Sequence, residues 1–218
     1  MENKTHLTQM PSRFLAKKSF VLLVYSLSKF ENVKTTYAQT KTIIDGMSVA
    51  GVPVDDIQVI VNLKKGFEYV INHHGRYDFA ISEMINGIVA AEDALEPGKI
   101  RTGNVQIGGV EYVPPIPDSN VVITTVSEMM SDNVSATEKA LKLMYYIMRQ
   151  QIFWDGNKRT AVLSANYILI NAGAGIININ ENQLEEFNKL LSGYYESDQD
   201  TAIMQWTYDH CIYGIDFE

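Results

Sequence analysis

The sequence predicts an all-α, mainly helical fold with one β-hairpin, and three observations lead to this class. Apolar residues recur every three to four positions over most of the chain, as helices require. Two capping boxes, which begin at Thr36 and Ser135, mark helix starts. A single segment, residues 101–115, instead alternates apolar and polar residues around Gly108-Gly109, which indicates two short strands joined by a turn.

The elements follow from these signals in order. Residues 14–30 are predicted as one buried helix, and a short helix should run from Thr36 to Gly46. After a loop at 47–53, Asp55 is expected to cap a long helix that ends near residue 75, and a further helix covers 79–94. Ser135 opens a helix with one apolar face, and the apolar run at 160–170 predicts a buried helix that ends at Gly173.

Composition excludes several classes of protein. The 218 residues carry 18 basic and 26 acidic side chains, a formal charge of −8, which argues against general binding of nucleic acids. The composition also excludes a disordered chain, a collagen and a disulfide scaffold. The lone Cys211, expected to be a buried small apolar residue, favours a reducing, cytoplasmic compartment. The apolar run after Lys18 is too short to span a membrane.

The candidate residues for binding and chemistry lie in the segment from Gln151 to Gly173. A loop, Asp155-Gly156-Asn157, precedes Lys158 and Arg159 in the first turn of the predicted buried helix. A helix N-terminus binds anions, glycine permits close approach, and arginine grips phosphate with two donors. Asp155 is a suitable Mg²⁺ ligand. The alternative is a plain turn with a solvated basic pair, but cations in a first turn oppose the helix dipole, which favours a bound anion.

These residues resemble a known family. F-W-D-G-N-K-R-T-A is similar to the Fic/Doc (Fido) signature H-x-F-x-[D/E]-G-N-x-R-x-x-R, or to its Doc-like form ending N-K-R-T-A. Residues 103–109 with Pro114-Pro115 resemble the flap hairpin of that family, and residues 25–32 resemble its N-terminal inhibitory helix. The resemblance spans about residues 24–208 and divides the chain into an N-terminal helical segment, 1–55, and a Fic/Fido core, 56–218.

The resemblance implies transfer of AMP from ATP to a hydroxyl group of a target protein. Asp155 would hold Mg²⁺, Glu31 would be the inhibitory glutamate, and Phe153 would anchor the loop in the core. The nucleotide phosphates would be bound by Gly156, Asn157, Lys158 and Arg159. The target would add a strand to the flap, residues 103–112, and above all to Gly103, Asn104, Val105, Gln106 and Ile107.

The sequence departs from the family pattern at three positions. Gln151 stands where the family has its general-base histidine, and an amide holds no proton at neutral pH. Loss of a general base costs about 10²–10⁴-fold in rate. Val162 replaces a second arginine, as in Doc-like members, whose activity is phosphoryl transfer. Glu31, whose usual partner is that arginine, either pairs with Arg159 or Lys158 or is solvated.

The expected function is therefore that of a Fic-domain protein of the adenylyltransferase type that binds ATP or ADP with Mg²⁺. Gln151 is expected to impair or abolish its activity, so enzyme activity is left open. One alternative is a non-enzymatic, antitoxin-like or scaffold protein that holds a target peptide on the flap. Another is a Doc-like phosphotransferase with altered chemistry. A protein target and a nucleotide are the expected partners, nucleic acid and membrane are not, and a homodimer is left open.

Overall fold

Ten α-helices and one small sheet make up residues 1–215, the part of the chain that the computed structural model describes. The helices are α1 (Gln9–Lys18), α2 (Phe20–Ser28), α3 (Tyr37–Ile44), α4 (Val54–Asn72), α5 (Phe79–Val89), α6 (Ser119–Ser131), α7 (Ala136–Gln150), α8 (Asn157–Ala172), α9 (Leu184–Ser197) and α10 (Thr201–Cys211). Strands β1 (Ile176–Ile177) and β2 (Ile212–Tyr213) pair antiparallel, with Ile176 opposite Tyr213. The mainly helical fold is confirmed.

Helix α8 is the centre of the fold because apolar and small residues occupy nearly all of its positions. Its residues are buried from Arg159 to Ile170, and α1, α4, α5 and α7 pack around it. Gly173 ends the helix at a φ of 72°, and its N–H donates to the carbonyl of Ile170, as the sequence predicts. The loop that precedes α8 is thereby held against the core at one fixed place.

The prediction of one helix over residues 14–30 is wrong. The helical path breaks at Ser19, whose ψ of 5° is not helical, and the two resulting helices pack on different partners. Helix α1 lies against α8, whereas α2 lies mainly against α4 and α3. A 3₁₀ turn, Lys29–Glu31, follows α2 and carries the candidate inhibitory glutamate.

The predicted caps at Thr36 and Ser135 are confirmed, whereas other predicted helix bounds differ from the structure. Thr36 and Gln39 form the reciprocal capping box at the start of α3, and the Ser135 side chain accepts from the Glu138 N–H at the start of α7. Pro53 rather than Asp55 is the N-cap of α4. Helix α5 ends at Val89, earlier than predicted, and helices α6, α9 and α10 were not predicted.

The flap does not form the predicted β-hairpin. Within residues 1–215, the only paired strands are β1 and β2, and residues 103–112 run without a ladder around a turn at Gly108-Gly109. An isolated two-stranded hairpin is marginal in water. Side chains hold this segment instead: the Glu111 N–H donates to Glu196 Oε1 at 2.6 Å, and the Arg149 guanidinium lies 4.1 Å from the Tyr112 ring centroid.

The N-terminal helices share one apolar core with the rest of the described chain. Buried residues of α2 and α3, among them Leu23, Val24 and Ile43, belong to the same cluster as those of α7 and α8. The predicted boundary between residues 55 and 56 falls in the first turn of α4. Cys211 is fully buried, as expected. No helix among the described residues is both long and apolar enough to cross a membrane.

Candidate functional site

The loop between α7 and α8 depends on two left-handed residues. Gln151 ends α7 with φ 46° and ψ 58°, and Gly156 begins α8 with φ 71°. A Cβ atom at Gly156 would also lie 2.9 Å from the Cβ of Ala90, so only glycine fits there. Phe153, between them, is fully buried and its ring lies parallel to that of Phe79, with centroids 6.0 Å apart.

Asn157 braces this loop from inside. Its Oδ1 accepts from the Phe153 N–H at 2.9 Å, and its Nδ2 donates to the Phe153 carbonyl at 2.8 Å and to Gln151 Oε1 at 3.2 Å. The other end of the Gln151 amide, Nε2, donates to the Met148 carbonyl at 2.6 Å. The amide groups of Gln151 and Asn157, both predicted site residues, are therefore hydrogen-bonded to other groups of the protein.

Arg159 is buried, with an exposed side-chain fraction of 1%, and it gathers three carboxylates. Its Nη1 donates to Asp93 Oδ2 at 2.8 Å and to the Val89 carbonyl, and its Nη2 donates to Asp155 Oδ1 at 3.0 Å. Its Nε lies 2.9 Å from Glu31 Oε1, an ion pair by distance, although the angle is not that of a hydrogen bond.

The structure thus brings Glu31, Asp155 and Arg159 together, and Glu31 pairs with Arg159 rather than with Lys158. Asp93 completes the group, although the sequence analysis did not single it out. It lies 66 residues before Arg159, and no local pattern marks it. In this arrangement each of the three guanidinium nitrogens has a carboxylate oxygen within 3.0 Å, although only Nη1 and Nη2 form hydrogen bonds.

A cavity of about 480 Å³ lies beside the loop. Its walls come from the turn after α2, the flap, the loop and α9, and are formed by Lys29, Phe30, Asn32, Gln106, Ile107, Gly108, Gln151, Lys158, Leu184, Asn188, Leu191, Ser192 and Tyr195. Gln106, Ile107, Gln151 and Lys158 are predicted site residues. The sequence analysis missed the α9 residues because it did not predict that helix. Only the tertiary structure, in which α9 packs against α10, places them at the cavity.

The cavity walls, as formed by the described residues, carry positive but no negative side chains. Lys29 Nζ donates to the carbonyls of Val33 and Thr35, whereas Lys158 forms no hydrogen bond or ion pair within the described chain. Lys158 lies in the first turn of α8, whose N-cap, Gly156, supplies no side-chain acceptor. The free ammonium and the uncapped helix end together favour an anion in this cavity.

Neither an imidazole nor an ionised phenol lines the cavity among the described residues. The wall contains no histidine, and its one phenol belongs to Tyr195, whose hydroxyl is buried without a hydrogen-bond partner. Burial raises the pKa of Tyr195 well above its usual value, despite a smaller opposing effect of the nearby Gln151 amide. The phenol therefore stays protonated at neutral pH and accepts no proton.

The other predicted flap residues lie outside the cavity. Asn104 is exposed and Val105 is half-buried. Gly103 lies against Trp154, since a Cβ on Gly103 would come within 2.6 Å of the indole ring. The indole N–H of Trp154 donates to Glu96 Oε2 at 3.3 Å, so this side chain is a support for the base of the flap and not a core residue.

Asp155 could supply one ligand to a magnesium ion, and the other ligands would come from phosphate and water. Among residues 1–215, no three histidine, cysteine, aspartate or glutamate side chains are grouped so that they could hold a metal ion. Asp155 is half-exposed, and its Oδ1 already accepts from Arg159 and from the Gly156 N–H, which leaves Oδ2. One carboxylate oxygen fits an Mg²⁺ whose other ligands are phosphate oxygens and water.

Comparison with known proteins identifies a family and relatives for this chain. The sequence model described as "Fic/DOC family" matches residues 67–169. "Protein adenylyltransferase Fic" of Aedes aegypti is 25% identical over 202 residues, 88% of this chain and 40% of that protein. The Drosophila melanogaster protein of the same name is 24% identical over 192 residues, 84% of this chain and 39% of that protein. The chain thus spans about two fifths of these relatives.

Solved structures show the same fold. "Fic-1 (aa134 - 508) from C. elegans" superposes with a TM-score of 0.78 at 19% identity over 95% of this chain and 64% of that chain. A Fic domain containing signalling protein from Bacteroides thetaiotaomicron gives 0.75 at 17% identity, over 94% of this chain and 87% of that chain. The chain therefore contains a Fic/DOC domain, matched at residues 67–169, and is related at about 25% identity to proteins named protein adenylyltransferases.

Proposed function

We propose that this chain is a nucleotide-binding Fic-domain protein of the adenylyltransferase type whose AMP transfer is slow or absent. ATP or ADP would bind in the 480 Å³ cavity, with its phosphates at Lys158 and at the uncapped start of α8. The relatives named as protein adenylyltransferases support this class of reaction.

One observation carries the proposal: in a chain with a net charge of −8, the described residues that line the cavity beside the motif include two lysines and no carboxylate. Its volume lies within the roughly 300–1,000 Å³ of small-molecule sites. Because Lys158 has no partner among residues 1–215, its charge is available to a phosphate without the loss of a contact in that part of the chain.

Asp155 would hold Mg²⁺ through Oδ2, and the ion would neutralise charge on the phosphates. Arg159 would reach a phosphate only after Glu31 moves away from its Nε. Of the three carboxylates, Glu31 alone faces Arg159 without a hydrogen bond, so it is the one most readily displaced together with the turn that carries it. We therefore assign Glu31 an inhibitory role and the present arrangement to the closed state.

Slow transfer follows from Gln151. An amide whose two ends are already bound to Met148 and Asn157 neither accepts nor relays a proton. The cavity and the start of α8 would position the nucleotide, but the described cavity wall supplies no imidazole or carboxylate to take the proton of a target hydroxyl. What remains is binding and electrostatic stabilisation, without the contribution of proton transfer.

Calorimetric titration with Mg-ATP tests nucleotide binding. The wild-type protein should bind, and Lys158→Ala should weaken binding by about tenfold or more, because a charge-assisted contact contributes about 1.5–3 kcal/mol. Lys189→Ala is the matched control, since Lys189 is 77% exposed on α9 and lies outside the cavity wall. Absence of binding to the wild type, or equal losses in both variants, contradicts the proposal.

We also infer that a target segment docks on the flap, whether or not chemistry follows. Within residues 1–215, the backbone N–H groups of residues 104–107 donate to no protein acceptor, so they are free to pair with an added strand. This exposed, unpaired backbone is also what favours the scaffold alternative, in which peptide binding is the whole function.

A random peptide-display library tests flap docking. Extended peptides enriched on the wild-type protein should lose binding to Val105→Pro, which removes one N–H donor, and keep it with Val105→Ala, which does not. Peptides that bind both variants equally well, or a library without enrichment, would show that the flap backbone is not the docking site.

A further inference from the structure

Arg101 is a buried arginine that has no carboxylate partner within residues 1–215. Its exposed fraction is 0%, and it is one of the two largest fully buried side chains, with Arg159. Whereas Arg159 meets three carboxylates, the guanidinium of Arg101 donates, in the part of the chain that the structure describes, only to main-chain carbonyls. The sequence analysis passed over it, since nothing in the sequence distinguishes it from a surface arginine.

The five carbonyls come from three parts of the chain. Gly103 is the first residue of the flap, Pro114 and Pro115 follow its end, and Gln150 and Gln151 end α7; the distances run from 2.5 to 3.3 Å. The backbone adds a further link, because the Arg101 N–H donates to the Ile152 carbonyl at 3.0 Å. A single side chain thus joins both ends of the flap to the residue that replaces the histidine.

The surroundings stabilise a cation there. Carbonyls at a helix C-terminus carry partial negative charge, and Gln150 and Gln151 place that end of α7 against the guanidinium. Burial lowers the pKa of Arg101, with a smaller opposing effect of Tyr112, yet an arginine stays charged at neutral pH. Because all five acceptors are neutral, removal of Arg101 leaves carbonyls unpaired but no unpaired buried carboxylate.

We propose that Arg101 is a positioning residue that holds both ends of the flap against residue 151. It thereby keeps Gln106, Ile107 and Gly108 in place as one wall of the cavity. This role concerns the position of the flap. Its consequence for nucleotide affinity rests on the proposed function above.

Fluorescence of the two tryptophans can distinguish a local change at the flap from a change of the whole protein. Trp154 contacts Gly103 at the base of the flap, whereas Trp206 lies on α10 next to Phe187 and His210. Two single-tryptophan proteins are needed: Trp206→Phe retains Trp154, and Trp154→Phe retains Trp206. Each would carry Arg101→Met, Arg101→Lys or, as a control at an exposed arginine, Arg76→Met. Emission maximum and acrylamide quenching are then measured without ligand.

Arg101→Met should shift Trp154 emission to longer wavelength and raise its quenching, with Trp206 unchanged. Arg101→Lys should give a smaller shift at Trp154 alone, because lysine keeps the charge but has three donors in place of five. Arg76→Met should change neither tryptophan. An unchanged Trp154 in Arg101→Met overturns the proposal. If Arg101→Met unfolds the protein and alters both tryptophans, Arg101→Lys decides: a change at both or at neither overturns it.

Mg-ATP titration of the same variants examines the consequence for the cavity. Arg101→Met should weaken binding about tenfold and Arg101→Lys less. Unaltered affinity in Arg101→Met would show that the flap wall is not held by Arg101 in the ligand-binding form. A wild-type protein that binds no nucleotide counts against the proposed function, whereas the tryptophan measurements still report on Arg101.

Discussion

At the scale of single residues, most of the motif side chains bind other groups of the protein, and one faces the cavity. Gln151, Asn157 and Arg159 are bound to the protein's own groups, and Lys158 is the one cation of the motif that faces the cavity without a partner in the described chain. The loop is therefore rigid before any ligand arrives. On the proposed function, AMP transfer depends on two separate features: a proton acceptor at residue 151 and an Arg159 that is free of Glu31.

Gln151→His combined with Glu31→Ala should raise nucleotidyl transfer by about 10²–10⁴-fold, the usual contribution of general-base catalysis. Gln151→His alone should give less, because Glu31 still holds Arg159. The measurement is incorporation of label from ATP that carries ³²P at the α- or the γ-phosphate. Label from the α-phosphate indicates AMP transfer, and label from the γ-phosphate indicates the Doc-like alternative.

Gln151→Asn with Glu31→Ala is the control for this restoration, since it alters the same two sites without adding a base. It should remain as slow as the wild type. A silent Gln151→His, Glu31→Ala protein would mean that more than the base is missing; Val162, at the position of the second family arginine, is the first residue to examine.

At the scale of elements, close helix packing sets the position of the site. Helices α4, α5 and α8 approach one another at Gly66, where a Cβ would lie 2.8 Å from Val89 Cγ1 and 3.0 Å from Leu163 Cδ1. Val89 is the residue whose carbonyl accepts from Arg159. A small residue in α4 is therefore needed for α5 to reach the arginine cluster.

Gly66→Ala should destabilise the protein by about 1–3 kcal/mol, because crowding at the crossing exceeds the gain in helix propensity. Gly193→Ala on α9 is the matched control: no atom lies within 4 Å of its added Cβ, so helix propensity alone should stabilise the protein by up to about 1 kcal/mol. Urea unfolding of both variants measures these changes. A stabilising Gly66→Ala would show that the crossing is loosely packed.

The flap is the element in which sequence and structure differ most. Alternating residues around Gly108-Gly109 predict strands, and the structure has the turn without the ladder. Arg101, Glu196 and Arg149 hold the segment by side chains that lie up to 85 residues away in sequence. Such anchors leave the backbone of residues 104–107 unpaired, which is the condition for strand addition.

At the scale of the whole molecule, one core unites the N-terminal helices with the Fic/DOC domain. Helix α2 packs on α4, which packs on α8, and this stacking sets the turn Lys29–Glu31 against the first turn of α8. Lys29 and Tyr25 also contact Glu181, just before α9. The contact between Glu31 and Arg159 is therefore a property of the complete fold, and it could not be read from residues 25–32 alone.

The sequence by itself determined what depends on neighbouring residues: the capping box at Thr36, the start of α7, the end of α8 at Gly173 and the D-G-N-K-R loop. These features follow from local hydrogen bonding and backbone conformation. The tertiary structure alone decided the partners of Arg159 and Arg101, the part of α9 in the cavity and the anchoring of the flap. Those contacts join distant segments, and they exist only because packing of the apolar faces brings the segments together.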